Sequence, residues 1–156
     1  MARKASFVLF AILAAVLRFG SGLSDAGLKK SDSKVKITAD ASKPAAGKQT
    51  INVTLTIEDG WYIYANPVNN PDFESNRTTI AVTSGKEEVA AKISYPAGKK
   101  KATGDIVYSV YTGKVTIPVQ VDHVPGAMPL SLAVRINCCN EKGICLLPAT
   151  VRVAVP

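Results

Sequence analysis

Four stretches of the chain alternate apolar and polar residues with a period of two. In "QTINVTLTIEDG", Ile51, Val53, Leu55 and Ile57 face one way, while Asn52, Thr54, Thr56 and Glu58 face the other. Such alternation predicts a strand buried on one face, here closed by the Asp59-Gly60 turn. The pattern recurs in "KVTIPVQVD" (Val115, Ile117, Val119, Val121), "LSLAVRI" (Leu130, Leu132, Val134, Ile136) and "VRVAV" (Val151, Val153, Val155). Shorter candidates are "KVKITA", "WYIYA", "RTTIAVT" and "AAKISYP". Pro118 points outward and, having no N–H for a ladder, predicts an edge strand. No stretch after residue 26 carries a helical period with caps. About eight short strands separated by turns predict an all-β fold, an immunoglobulin-like antiparallel β-sandwich.

The amino terminus breaks this pattern. Arg3 and Lys4 precede an apolar run from Ala5 to Leu17, and small residues follow, which is the layout of a secretory signal peptide. The run covers thirteen residues, short of the roughly 20 needed to cross a bilayer. We therefore expect a leader over residues 1–24, cleaved between Gly20 and Ala26, with no stable membrane insertion afterwards. A polar linker over 25–34 and a domain over 35–156 follow, in a periplasmic or secreted protein. With 156 residues and 47% hydrophobic composition, the chain can bury a core without covalent staples. Losing Arg3, Lys4 and Arg18 lowers the formal charge from +7 to about +4. Lys99, Lys100 and Lys101 form the dense basic cluster. It lacks the interleaved aromatics of a nucleic-acid platform, so it is read as a solvated loop and no nucleic acid is expected.

Every cysteine lies in "NCCNEKGICLLPATV": Cys138, Cys139 and Cys145. Zinc sites want four ligands in close pairs, and the only histidine, His123, lies in a separate turn, so no metal or other cofactor is expected. A cysteine nucleophile needs a base and an orienting group, and no such signature surrounds these residues. A disulfide remains. Cys139 and Cys145 bracket a five-residue loop, with Gly143 available for a positive-φ position. Antiparallel strands leaving such a loop bring their α-carbons to roughly 4.5–5.5 Å. Leu132, Val134, Ile136 and Cys138 share the core face, which turns Cys139 the other way and makes Cys138 a small buried hydrophobe. Residue chemistry leaves two uses open: a hairpin staple worth only ~2 kcal/mol, or a bond open to another protein's thiolate.

Three stretches, "CNEKGICLLPAT", "EDGWYIYANP" and "YPAGKKKATGDIVYSVYTGKVTIPVQV", together resemble the N-terminal periplasmic domain of the thiol:disulfide interchange protein DsbD. The likeness runs from about residue 35 to 156. It implies an immunoglobulin-like sandwich that relays electrons in the periplasm. Cys139 and Cys145 would be the catalytic redox pair, Cys145 bonding to partner proteins and Cys139 resolving the mixed disulfide. Tyr62 and Tyr64 would lie beside the pair, although three aromatics in one strand are also what ordinary packing uses. Asp105 and the loop from Lys100 to Gly104 would correspond to a cap over the disulfide. That cap carries a phenylalanine in the family and none here, which leaves Tyr108 as a substitute. Cys138 is additional to the family pair. A thioredoxin-like or membrane-embedded thiol protein would supply electrons as a separate partner, and periplasmic disulfide-containing proteins would accept them. The rival expectation is an exported immunoglobulin-like binding module whose disulfide is purely structural.

Overall fold

The alternating stretches become strands where their periodicity places them. The structure, a computed structural model, describes residues 28–123 and 129–156. The expected leader and its cleavage point lie outside the described residues. Twelve strands are present among them: β1 (Val35–Ala41), β2 (Lys48–Ile57), β3 (Trp61–Tyr64), β4 (Thr79–Ser84), β5 (Glu87–Val89), β6 (Ala91–Ile93), β7 (Lys99–Thr103), β8 (Ile106–Tyr111), β9 (Lys114–Asp122), β10 (Leu130–Ile136), β11 (Cys138–Asn140) and β12 (Ala149–Ala154). They form three four-stranded sheets in the orders β1-β2-β9-β6, β12-β10-β4-β5 and β11-β3-β8-β7. Each strand pairing is antiparallel. This is the immunoglobulin-like β-sandwich architecture.

The core lies where the inward faces meet. Ile51, Val53 and Leu55 of β2 and Ile117 and Val119 of β9 are fully buried, as are Leu132, Val134 and Ile136 of β10. Each such side chain contributes roughly 1.5–3 kcal/mol relative to exposure, and together they offset the entropy of ordering the chain. The third sheet stands apart because both its faces are covered. Ile63, Tyr111 and Cys138 join the main core. Tyr62, Tyr64, Tyr108, Val110 and Cys139 build a second apolar cluster on the opposite face, with Phe73 packed against it. Strand parity alone produces this division, since neighbours in sequence point to opposite faces.

Two expectations change. Strand β9 is not an edge: β2 pairs with it on one side and β6 on the other. The proline is tolerated because Pro118 faces the end of its short neighbour. Its carbonyl accepts from Ser94 N–H at 2.9 Å, one residue past β6, so the missing N–H costs a single ladder bond. The basic cluster is not a loop either. Lys99, Lys100 and Lys101 belong to β7, paired through Lys99↔Val110, Lys100↔Ser109 and Lys101↔Tyr108 with β8. The periodicity of "IVYSVY" is invisible because residues 108–111 are buried whichever way they point, as in any strand covered on both faces.

The described part of the segment read as a linker, residues 28–34, lies against the sandwich. A short 3-10 turn, Ser31–Ser33, packs there with Ser31 fully buried. The family-like Pro96-Ala97-Gly98 stretch also has a steric cause. A Cβ on Gly98 would stand 2.5 Å from Ala65 Cβ and 3.0 Å from Ser109 Cβ, so only glycine fits against the β3–β8 ladder.

Candidate redox site

The two distant motifs become neighbours in one ladder. Strand β11 pairs with β3 through Cys138↔Ile63, Cys139↔Tyr62 and Asn140↔Trp61. The turn before β3 joins in, as Glu141 N–H donates to Gly60 C=O at 3.3 Å. Asn137 separates β10 from β11 and takes the chain from one sheet into the next. Parity survives that step, so Cys138 faces the core and Cys139 faces the tyrosines.

Cys139 and Cys145 are bonded, with S–S 2.06 Å and α-carbons 4.0 Å apart. That separation is shorter than the roughly 4.5–5.5 Å of paired strands, and the two residues form an isolated antiparallel bridge at the neck of a five-residue loop. The loop holds itself together. Asn140 Oδ1 accepts from Lys142 N–H at 3.0 Å and from Ile144 N–H at 2.9 Å. Asn140 N–H donates to Ile144 C=O at 2.9 Å, and Gly143 takes φ 83°, a value that suits glycine. Asn140 was not singled out from the sequence, although an asparagine opening a glycine-containing loop is the signal of an Asx turn.

The two sulfurs sit in unequal surroundings. Cys139 is fully buried, whereas Cys145 is exposed and flanked by the exposed apolar residues Ile144 and Leu147. Over Cys139 lies an aromatic layer. Tyr64 O–H reaches Cys139 Sγ at 3.7 Å; a sulfur already in a disulfide has no proton, so the tyrosine donates. Tyr62 and Tyr108 share a hydrogen bond at 3.2 Å, and Thr103 Oγ1 is 3.3 Å from Tyr108 Oη. Burial pushes the Tyr64 hydroxyl above its ordinary range, helped by Tyr108. Burial raises Tyr62 further, followed by its bond to Tyr108. Both therefore stay neutral, and Tyr64 remains a donor at any physiological pH.

Phe73 completes the cover. Its ring stacks on Tyr64 with centroids 5.3 Å apart and lies 4.8 Å from Tyr108. It is carried by a 3-10 turn, Pro71–Asn76, whose Asn70 cap accepts from Asp72 N–H and donates to Val107 C=O at 3.0 Å. A phenylalanine is thus present, delivered by the segment between β3 and β4 and not by "KKKATGD"; Tyr108 serves beside it. Sequence spacing could not find Phe73, because its distance from Cys139 along the chain carries no local signal. Lys101, within the Lys100–Gly104 stretch expected near the pair, reaches the Tyr62 ring. Its ammonium lies 4.8 Å from the Tyr62 ring centroid and 4.0 Å from Glu141 Oε1, a cation–π contact of about 0.5–1 kcal/mol. Asp105 is exposed in the turn between β7 and β8. Among the described residues it makes no hydrogen bond or ion pair with either cysteine or with the tyrosines.

Cys138 is the one free cysteine, and it is buried. Burial pushes its thiol up to about 11, with Lys34 pulling it down and Glu58 raising it. A thiol held neutral is a poor nucleophile, and this one faces the core, away from the disulfide.

Known proteins share this fold. The family described as "Thiol:disulfide interchange protein DsbD, N-terminal" matches residues 28–156. Among solved structures, the reduced DsbD N-terminal domain of Neisseria meningitidis superposes with TM-score 0.53 at 17% identity, covering 79% of this chain and 85% of that one. The DsbD N-terminal domain in complex with the PilB N-terminal domain, from the same organism, gives TM-score 0.54 at 16% identity, covering 77% and 80%. The N-terminal periplasmic domain of ScsB from Proteus mirabilis gives TM-score 0.53 at 20% identity, covering 76% of this chain and 44% of that one. No curated protein matches. These structural likenesses establish the fold, and the family match over residues 28–156 goes further: the chain belongs to the family of N-terminal domains of the thiol:disulfide interchange protein DsbD.

Proposed function

We propose that this protein works in the periplasm as a thiol–disulfide relay. Cys139 and Cys145 would take two electrons from a thioredoxin-like or membrane-embedded thiol protein and pass them to disulfide-containing acceptors. The observation that carries this reading is the asymmetry of the bond, with Cys145 exposed and Cys139 buried beneath a tyrosine hydroxyl. In this reading a donor thiolate approaches Cys145 Sγ, on the exposed residue of the pair. As the donor–Cys145 bond forms, the Cys139–Cys145 bond breaks and its electron pair leaves on Cys139. Tyr64 O–H stabilises that leaving thiolate, which then takes a proton from water. The donor's second thiolate attacks the mixed disulfide, releases Cys145 as a thiolate and closes the donor's own disulfide. Two electrons have then moved, and the acceptor step is the same sequence in reverse. The DsbD N-terminal domain captured with the PilB N-terminal domain supports a protein partner of this kind.

Reactivity in this scheme comes from access, since the charges near the pair largely cancel. Lys142 and Glu141 are both exposed, and Glu141 is shared with Lys101; exposed pairs of this kind are worth about 1 kcal/mol or less. The test is a trap. Replacing Cys139 with Ser leaves a free Cys145, and mixed disulfides with exported proteins should accumulate, while Cys145→Ser should trap none. Absence of adducts, together with a potential below about −300 mV, would instead make the bond a structural staple in an exported binding module.

A further inference from the structure

The hairpin that carries the disulfide is incomplete as a β ladder. With Cys139 opposite Cys145, Cys138 and Leu146 should exchange two backbone bonds. One is made, Leu146 N–H to Cys138 C=O at 2.9 Å. The other is not made: the returning arm pairs at Leu147 with Lys30, in the segment before β1. Ser31 fills the gap. Its hydroxyl accepts from Cys138 N–H at 2.9 Å and donates to Leu147 C=O at 2.8 Å. Ser31 N–H donates to the same carbonyl at 2.8 Å, and Leu147 N–H donates to Lys29 C=O at 3.2 Å. One buried hydroxyl therefore ties the outgoing arm, one residue before Cys139, to the returning arm, two residues after Cys145.

We propose that Ser31 is a positioning residue for the redox pair: it holds the two arms of the hairpin in register once the disulfide is open, and so sets how readily the bond re-forms. The inference rests on Cys139–Cys145 being the pair that exchanges. In the oxidised protein the covalent bond keeps the arms together with or without Ser31. In the reduced protein the bonds left to span them are Leu146 N–H to Cys138 C=O, the two bonds between Asn140 and Ile144 at the loop end, and the Ser31 clamp on the side of the sandwich. Removing the hydroxyl loosens the reduced form more than the oxidised form. The effective concentration of one thiol at the other falls, and the equilibrium shifts towards the dithiol.

The test is equilibration with glutathione, in which two glutathione thiols give two electrons and two protons, one glutathione disulfide forms, and the Cys139–Cys145 bond becomes two thiols. Ser31→Ala should lower the equilibrium constant for oxidation by about three- to tenfold, the size of one net hydrogen bond; tenfold corresponds to a potential about 30 mV less negative. Ser31→Thr, which keeps the hydroxyl, should restore most of the shift. Ser33→Ala is the control. Ser33 bonds only Lys30 C=O within the same turn and should leave the potential unchanged. An unchanged Ser31→Ala potential, or an equal shift in Ser33→Ala, overturns the proposal. Should Ser31→Ala fail to fold, hydrogen exchange in the unaltered reduced protein decides. A protected Cys138 amide supports the clamp, and one that exchanges as in an unfolded chain overturns it. Glutathione reads the bond without any partner, so a shifted potential with no trapped adducts would remove the relay reading and leave the clamp standing.

Discussion

Replacing Tyr64 with Phe removes one oxygen and keeps the ring that stacks on Phe73 and packs tilted against Tyr108. The lost contact is a 3.7 Å donation to Cys139 Sγ, weak while the sulfur is neutral and stronger once that sulfur leaves as a thiolate. A hydrogen bond to a charged group is worth ~1.5–3 kcal/mol, and the length of this one places it at the lower end. Without that donor to its thiolate, the Cys139 thiol of the reduced protein should hold its proton to higher pH. A poorer leaving group slows attack on Cys145, and with roughly half of that ~1.5 kcal/mol felt in the transition state the exchange rate should fall about threefold. The oxidised protein loses only a contact to neutral sulfur, so its unfolding midpoint should barely move. Dithiothreitol reduction near neutral pH, followed by quenched alkylation and mass spectrometry, gives the rate; thiolate ultraviolet absorbance gives the pKa. A wild-type rate with an unshifted pKa would refute the donor role of Tyr64. A midpoint that falls in step with the rate would mean that the hydroxyl matters for packing alone.

Three further outcomes follow from the structure. Cys138 should resist alkylation in the native protein at about pH 8, where a thiol near 11 is ionised to about one part in a thousand, while Cys145 labels first after reduction. Because the fold raises the Cys138 pKa above its unfolded value of 9.0, its neutral burial stabilises fully below that value and the benefit is lost as pH rises through about 11. The stability gap between the wild type and Cys138→Ala should therefore narrow over that window in urea melts. Gly98→Ala must push a methyl group to 2.5 Å from Ala65 Cβ, which should cost about 1–3 kcal/mol of unfolding free energy by the same melts. A neutral Gly98→Ala would mean that β3 and β8 do not approach as described.

Some of this was written in local sequence. Period-two alternation located β2, β9, β10 and β12 and pointed Cys138 into the core and Cys139 out of it, because parity depends only on counting residues along an extended backbone. The five-residue loop paired Cys139 with Cys145 for the same local reason. The resemblance carried by "EDGWYIY" and "CNEKGIC" pointed to Tyr62 and Tyr64 beside the pair, which the β3–β11 ladder provides. It also pointed to Asp105, which stays in an exposed turn. Tertiary structure decided the rest. Strand β8 has no alternation because covering elements lie on both its faces. Pro118 reads as an edge residue until a short neighbour ends beside it. Whether Cys139 or Cys145 meets solvent depends on Phe73, Tyr108 and Tyr64, and the register of the opened hairpin on Ser31. Burial is set by chain that arrives from far along the sequence, whereas the direction in which a side chain points is set by its own strand; the sequence alone therefore revealed the bond, and only the packed sandwich determined that Cys139 is buried while Cys145 is exposed.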